Sequence, residues 1–399
     1  MAARGANEGR LRCLYRVTRR ELHFMSHSPF CTLFIVVLPL VSFAILCAIF
    51  YVETPRDLPI VVCDRDGSTL SRQLTRMADA SASMAVTATA RDMEEAAGYV
   101  RRGEAYAVLY IPPRLERDAK RGDAPPVVAY FNNQWLLTSG ILNRALRETV
   151  GTLSAGLDLR ARMMRGEDPA LAWERYEPIQ VDAHPMFNPN LNYRFFLLPS
   201  LLPTLVQAFV IMMTVRAVGG ELKHGTAGVW LADSGNRPWL ALLGKCIPYT
   251  VAYLILTNFM FALLVRFMNV PLHGSVRVLF LASVLFVLAY QVIGVAFVAL
   301  SANLRLANSL AGFYAGPAFA FAGITYPTIG MPLFAKAVGW ALPLAHYLHI
   351  VLQQALRGAP WQASAPYLAA LAAFVLAPPI LFLPRMGRLM RDDRYWGRL

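Results

Sequence analysis

The sequence predicts an α-helical polytopic membrane protein, with six transmembrane helices and an inserted periplasmic α/β domain. Three observations carry this. Of 399 residues 56% are hydrophobic, and mean hydropathy is +0.42, yet the apolar residues fall in blocks of membrane-spanning length. Charge is unevenly placed: residues 53–193 hold 17 basic and 19 acidic side chains, the remainder 21 and 6. The basic surplus of the remainder flanks the apolar blocks, as the positive-inside bias requires. Together these exclude a disordered chain, a secreted disulfide scaffold and an ordinary soluble enzyme. The net charge of +13 reads as membrane orientation rather than nucleic-acid binding.

The first 20 residues carry Arg4, Arg10, Arg12, Arg16, Arg19 and Arg20, interleaved with Leu11, Leu14, Tyr15 and Val17. Residues 1–29 are therefore expected to form a cytoplasmic amphipathic helix at the membrane surface, in contact with lipid. An uncharged run, Cys31 to Val52, follows and is long enough to cross a bilayer, so residues 30–52 are the expected first span. A cleaved signal peptide would have a shorter apolar run and a small-residue cleavage site, whereas Glu53 and Arg56 follow here.

Residues 53–193 are too many for a loop and alternate in character. Strands are expected at Leu58 to Cys63, Met84 to Ala88, Tyr106 to Ile111 and Pro126 to Phe131. Helices are expected from near Ser68, over Asp92 to Arg102, and over about Gln134 to Met164. Asp64 and Asp66 read as a turn rather than metal ligands. The stripe Leu142, Leu146, Val150, Leu153 and Leu157 reads as packing. Cysteines are scattered, with no paired spacing, and no hydrolase, zinc-protease or P-loop signature occurs. No catalysis is expected, and any nucleotide would be held elsewhere.

Residues 194–384 are expected to hold the second to sixth spans: Phe195 to Val215, Ile247 to Leu264, Val278 to Leu300, Ala307 to Ile324 and Tyr367 to Leu383. Arg216, Lys223, Arg237, Lys245, Arg305 and the basic tail 385–399 then lie on the cytoplasmic side with both termini. Prolines and glycines break residues 325–345, which suits a re-entrant or interfacial segment. Gln207, Asn258 and Gln291 are the polar groups at mid-depth; helix–helix bonding is their ordinary role, and a translocation path or interface the sharper one. Tyr314 and Tyr326, near the proposed outer mouth, are aromatic candidates for the same path. The lack of a carboxylate within the expected spans argues against an ion-coupled carrier.

The cytoplasmic connection Arg216-Ala-Val-Gly-Gly-Glu221-Leu-Lys223-His224-Gly225-Thr226, with Gly244-Lys245 beyond it, resembles permeases of the ABC-2 exporter family. The likeness extends to Arg20-Glu21 before the first span and to Phe187-Asn188-Pro189 before the second. It continues through Gly323, Pro327, Met331 and Pro332, and through Pro343-Leu-Ala-His346-Tyr347. Gly219 and Gly220 stand where the family usually has further charges. The resemblance is to the bacterial subgroup with a large periplasmic domain between the first two spans. It implies an inner-membrane transport subunit that works as a dimer with itself or a related permease. ATP and Mg would sit on a separate ABC ATPase, with no cofactor on this chain. Residues 216–245 would hold the coupling region, where Glu221 and Lys223 offer charged contacts to the ATPase, Gly225 a turn and Thr226 a helix cap, and Glu21 on the N-terminal interface helix would be a further coupling residue. Efflux of drug-like, amphipathic or lipid-like cargo is implied, with a periplasmic adaptor and outer membrane channel as further partners. A different class, an anchored assembly protein whose periplasmic domain binds an envelope partner, fits the same composition.

Overall fold

Helix α1 (Ala2–His27) stops where Ser28 and Pro29 follow it, because proline cannot continue the hydrogen-bond ladder. Ser28 caps the next helix, its Oγ accepting from the Cys31 amide at 3.4 Å, and Pro29 occupies the first turn. That helix, α2 (Pro29–Ile49), is long and apolar enough to cross a membrane. It carries a π turn at Leu33–Val37, just ahead of Pro39. The computed structural model describes residues 2–52, 54–121, 123, 125–166, 186–188 and 191–397, with side chains from residue 9 onward. Glu53, Pro189 and Arg398 lie outside the described residues. The chain divides into a helical unit, residues 1–51 with 193–399, and an insert, residues 52–192.

In the insert, β1 (Leu58–Asp64) leads to α3 (Thr69–Asp79), β2 (Met84–Thr89), α4 (Met93–Arg101) and β3 (Ala107–Ile111). Then come α5 (Leu115–Arg121), β4 (Val128–Phe131) and the long α6 (Leu136–Met164). The sheet order is β2-β1-β3-β4, parallel except for the β3–β4 pair. Val61 and Cys63 are buried with Ala96 and Val108, while Ile60, Val62 and Leu109 are fully buried as well. The central strands are thus enclosed on both faces, as parallel strands linked by helices require. Ser68 and Asp92 cap α3 and α4 through the Ser71 and Glu95 amides at 3.1 and 2.8 Å. Asp64 Oδ1 accepts from the amides of Asp66 and Gly67 at 2.9 and 3.0 Å, a turn built by its own side chain. Leu142, Leu146 and Leu153 of α6 are buried, so that stripe packs.

The helical unit resumes with α7 (Tyr193–Lys223), α8 (Ala227–Asp233), α9 (Pro238–Phe267) and α10 (Val276–Ser301). Helices α11 (Leu304–Ala315) and α12 (Ala318–Phe321) follow, then α13 (Leu333–Trp340), α14 (Pro343–Val351) and α15 (Trp361–Arg391). Five helices among the described residues, α2, α7, α9, α10 and α15, are long and apolar enough to span a membrane. The stretch expected as a continuous fifth span, Ala307 to Ile324, is instead broken. Gly316 and Pro317 end α11, and Gly323 at φ +78° ends the next short piece. Residues 325–345 likewise form a single 3₁₀ turn, Thr328–Gly330, and short helices rather than one rod.

The antiparallel pairing of α10 and α15 defines two ends of this unit. At one, the Gly274 amide before α10 donates to the Gln354 carbonyl before α15 at 2.8 Å. At the other, Arg385 of α15 donates to the carbonyls of Ala299 and Leu300 at 2.6 and 2.9 Å. The chain between them therefore makes its return pass through the broken helices α11 and α12.

Candidate functional site

Four charged side chains meet at the end of the unit where α7 finishes and α9 begins. Lys245 Nζ lies 2.5 Å from Glu21 Oε2 and 2.8 Å from Glu221 Oε1. Arg20 Nη2 is 2.9 Å from both oxygens of Glu221, and its Nη1 reaches Asp233 Oδ2 at 3.5 Å. Tyr249 donates its hydroxyl to Glu21 Oε1 at 2.7 Å. Glu21, Glu221 and Lys245 are 3%, 6% and 3% exposed, so each depends on the others to offset its desolvation. Two carboxylates and two cations make a neutral core, with Asp233 at its partly open rim.

Local sequence explains how the groups converge. Gly244 lets α1 lie directly on α9: a Cβ there would stand 2.8 Å from the Val17 Cβ, and Thr18 donates to the Gly244 carbonyl at 3.1 Å. That contact places Glu21, one turn on from Val17, over Lys245. Gly225, at φ +70°, turns the chain sharply after α7, so α8 folds back beside Glu221. Trp230 of α8 is buried, donates to the Ala241 carbonyl at 3.1 Å and places its ring 5.3 Å from the Lys245 ammonium.

Of the residues expected at this site, Glu21, Glu221, Gly225 and Thr226 come together. Thr226 sits at the start of α8 but makes no side-chain cap; its hydroxyl donates instead to Glu221 Oε2 at 2.5 Å. A cap would need the hydroxyl oxygen to accept from an α8 amide, whereas here the hydroxyl gives its proton to a carboxylate in a charge-assisted bond. Lys223 stands on the other side of the α7 terminus and makes no ion pair among the described residues. Within the chain the cation that meets Glu221 from α9 is Lys245.

The mid-depth candidates do not converge on one path. Asn258 bridges α9 to α10 through Ser283 Oγ at 3.2 Å, and Gln291 bridges the same helices, accepting from Thr250 at 2.7 Å. Gln207 of α7 donates to the Ala315 carbonyl at 3.1 Å, while its Oε1 has no partner among the described residues. Tyr314 donates to the Ala341 carbonyl at 2.8 Å, and Tyr326 is exposed. Three of the five thus tie helices together within the chain.

The arrangement holds its charges in fixed pairs. Among the described residues, no group of three or more His, Cys, Asp or Glu side chains could hold a metal. What the site can do chemically is join four segments, α1, α7, α8 and α9, at one point. The profile of the ABC-2 family transporter proteins matches residues 30–383, nearly the whole chain. The chain belongs to the ABC-2 transporter family. It is similar to the probable multidrug ABC transporter permease YbhR of Escherichia coli (strain K12), 25% identical over 173 residues, 43% of this chain and 47% of that one. It is also similar to the probable multidrug ABC transporter permease YbhS of the same organism, 26% identical over 199 residues, 49% of this chain and 52% of that one. The matched part spans about half the length of these curated relatives.

In this ABC-2 chain the C-terminal tail also reaches the site. The Gly397 amide donates to the Leu222 carbonyl at 3.0 Å, and Trp396, anchored to the Leu389 carbonyl at 3.1 Å, lies on Gly228 of α8. A Cβ at Gly228 would come 2.8 Å from the indole. The variant Gly228→Leu is expected to lift the tail at a cost of about 1–3 kcal/mol. Trypsin cleavage at Arg391 or Arg394 should then accelerate severalfold; an unchanged rate would show that the tail is not held there. Trp230, Asp233, Tyr249 and Trp396 escape a motif-based reading. The signal that could have found Tyr249 is simple: a buried Glu–Lys pair needs further donors for its remaining lone pairs.

Proposed function

We propose that the chain is the transmembrane permease subunit of an ATP-driven exporter in the bacterial inner membrane. The observation that carries this reading is the buried cluster Arg20–Glu21–Glu221–Lys245, which joins the ends of α1, α7 and α9 and to which α8 is tied through Asp233 and Trp230. A short helix held this way moves as one body with what it is tied to. The outward face of α8 presents Val229, 61% exposed, as an apolar contact for a partner. A separate ABC ATPase, holding ATP and Mg, would dock on α8. Its closure would be transmitted by the cluster to α1, α7 and α9, and through α1 to α2, which follows it. The cluster end then faces the cytoplasm with both termini, and the insert faces the periplasm, in line with the charge bias. The broken return pass through α11 and α12 supplies the sixth crossing, and a second permease completes the route. Cargo of a drug-like kind fits the names of the two relatives, and amphipathic or lipid-like cargo is what the family resemblance adds.

The test is a tagged preparation from the native host, with co-purifying proteins quantified by mass spectrometry. About one ABC ATPase per chain is expected, and Val229→Asp should cut its recovery at least about tenfold while membrane insertion is kept. No ATPase in several mild detergents and nanodiscs would sink this reading and bring forward the anchored assembly protein.

A further inference from the structure

The carboxylates of the helical unit are confined to one end. No Asp or Glu occurs between Asp233 and Asp392, while Arg266, Arg277, Lys336 and Arg357 lie on that stretch. Away from the buried cluster, the segments from α12 to the start of α15 build a cavity of about 300 Å³. Phe321, Lys336, Trp340, His346, His349 and Tyr367 line it, and no carboxylate does.

Each polar group there is held but keeps binding capacity. The imidazole of His346, 3% exposed, bonds the Trp340 carbonyl through Nε2 at 2.9 Å. A carbonyl only accepts, so Nε2 is the donor and Nδ1 is left without a partner among the described residues. His349 bonds the Ala345 carbonyl through Nδ1 at 2.7 Å, leaving Nε2 in the same condition. Lys336 makes one long bond, to the Ile329 carbonyl at 3.4 Å, and no ion pair among the described residues. The rings are ordered: Tyr367 stacks on His349 at 4.9 Å, and Trp340 meets His346 edge-on at 5.3 Å. Beside the cavity, α13 leaves Leu333 and Phe334 exposed by 84% and 73%, an apolar approach such as a molecule with a hydrocarbon part would use.

We propose that this cavity binds the acidic head of an amphiphile, a carboxylate, phosphate or sulfonate on an apolar body. Lys336 is the counter-ion, and the rings of Phe321, Trp340 and Tyr367 receive the body. The free imidazole nitrogens are acceptors and take a proton-bearing head, a carboxylic acid or a phosphate monoester, while a fully ionised head such as a sulfonate is met by Lys336 alone. A cationic amphiphile is disfavoured because nothing here neutralises it. That the occupant is exported cargo rests on the exporter reading; the binding does not.

The test uses the full chain in phosphatidylcholine nanodiscs, without any ATPase, and dodecanoate carrying a photoreactive diazirine. The matched alcohol and trimethylammonium compounds serve as controls, and labelled peptides are identified by mass spectrometry. The acid is expected to label peptides spanning α12 to α15 saturably, with competition by unlabelled dodecanoate and little labelling by the controls. Lys336→Glu should lower the yield about tenfold, Lys336→Gln should lower it less, and Lys336→Arg should keep it. Addition of phosphatidylglycerol tells the source: displacement identifies a lipid head as the occupant, persistence a non-lipid amphiphile, and both support an acidic-head site. Equal labelling by all three heads, or unchanged yield in both Lys336→Glu and Lys336→Gln, overturns the proposal. Neither result touches ATPase recovery, so the exporter reading stands or falls separately.

Discussion

Lys245→Met is expected to destabilise the helical unit by about 3–5 kcal/mol, the range for breaking a buried ion pair by removing one partner. The size follows from what remains. Glu21 keeps only the Tyr249 hydroxyl at 2.7 Å, and Glu221 keeps Arg20 and Thr226, while two buried carboxylates lose their shared cation. Methionine fills nearly the same volume as the lysine stem, so packing loss is small and the effect is electrostatic. The companion variant Glu21→Gln with Lys245→Met removes one negative charge together with the cation. It should recover much of the loss, and the difference measures the coupling. Unfolding in mixed micelles, followed by far-UV circular dichroism, checks both. A single variant within about 1 kcal/mol of the parent would mean that water reaches the cluster and that α8 is not locked. On the exporter reading, the same single variant should also uncouple ATP hydrolysis from transport.

The insert was legible because its signals are local. Strand runs closed by prolines or Asx turns, and Ser68 and Asp92 ahead of helices, mark their elements within a few residues. Helix α5, LERDAKR, was not anticipated, since Leu115 is its only buried residue and one apolar position makes no period. Hydropathy found the long helices but overextended the span at Ala307 to Ile324. The apolar residues run on there while Gly316, Pro317 and Gly323 interrupt the backbone. The site was half legible. Arg20-Glu21, Glu221 and Gly244-Lys245 stand out as charges beside apolar blocks, but which cation meets which carboxylate depends on the close approach at Gly244 and the turn at Gly225. Both are three-dimensional facts. Lys223, two residues from Glu221, does not pair with it, because on a helix positions i and i+2 do not share a face.

A second large effect is expected at the opposite end, at Arg194, which no motif singles out. Its guanidinium is 5% exposed and donates to the carbonyls of Phe50 at 3.2 Å, Met268 at 3.1 Å and Tyr51. Those carbonyls belong to the ends of α2 and α9, where terminal carbonyls lack intrahelical partners. Arg194 itself opens α7, so one side chain closes the ends of three helices, at the points where the chain leaves the helical unit for the insert and returns. A planar fork of donors suits three divergent acceptors; a lysine ammonium, compact and more strongly hydrated, does not. Arg194→Met is therefore expected to cost about 3–5 kcal/mol, from several charge-assisted bonds of about 1.5–3 kcal/mol each that do not add fully. Arg194→Lys should recover less than half of that. If lysine restored full stability, charge alone would account for the position, and the geometry of the three carbonyls would be incidental. The paired outcome matters for mechanism. The Lys245 cluster and Arg194 tie α7 and α9 at both ends, to α1 at one and to α2 at the other. Loosening one end alone should let these helices splay without unfolding the insert, which hydrogen exchange resolves as protection lost in residues 193–223 and 238–267 but kept in the β strands.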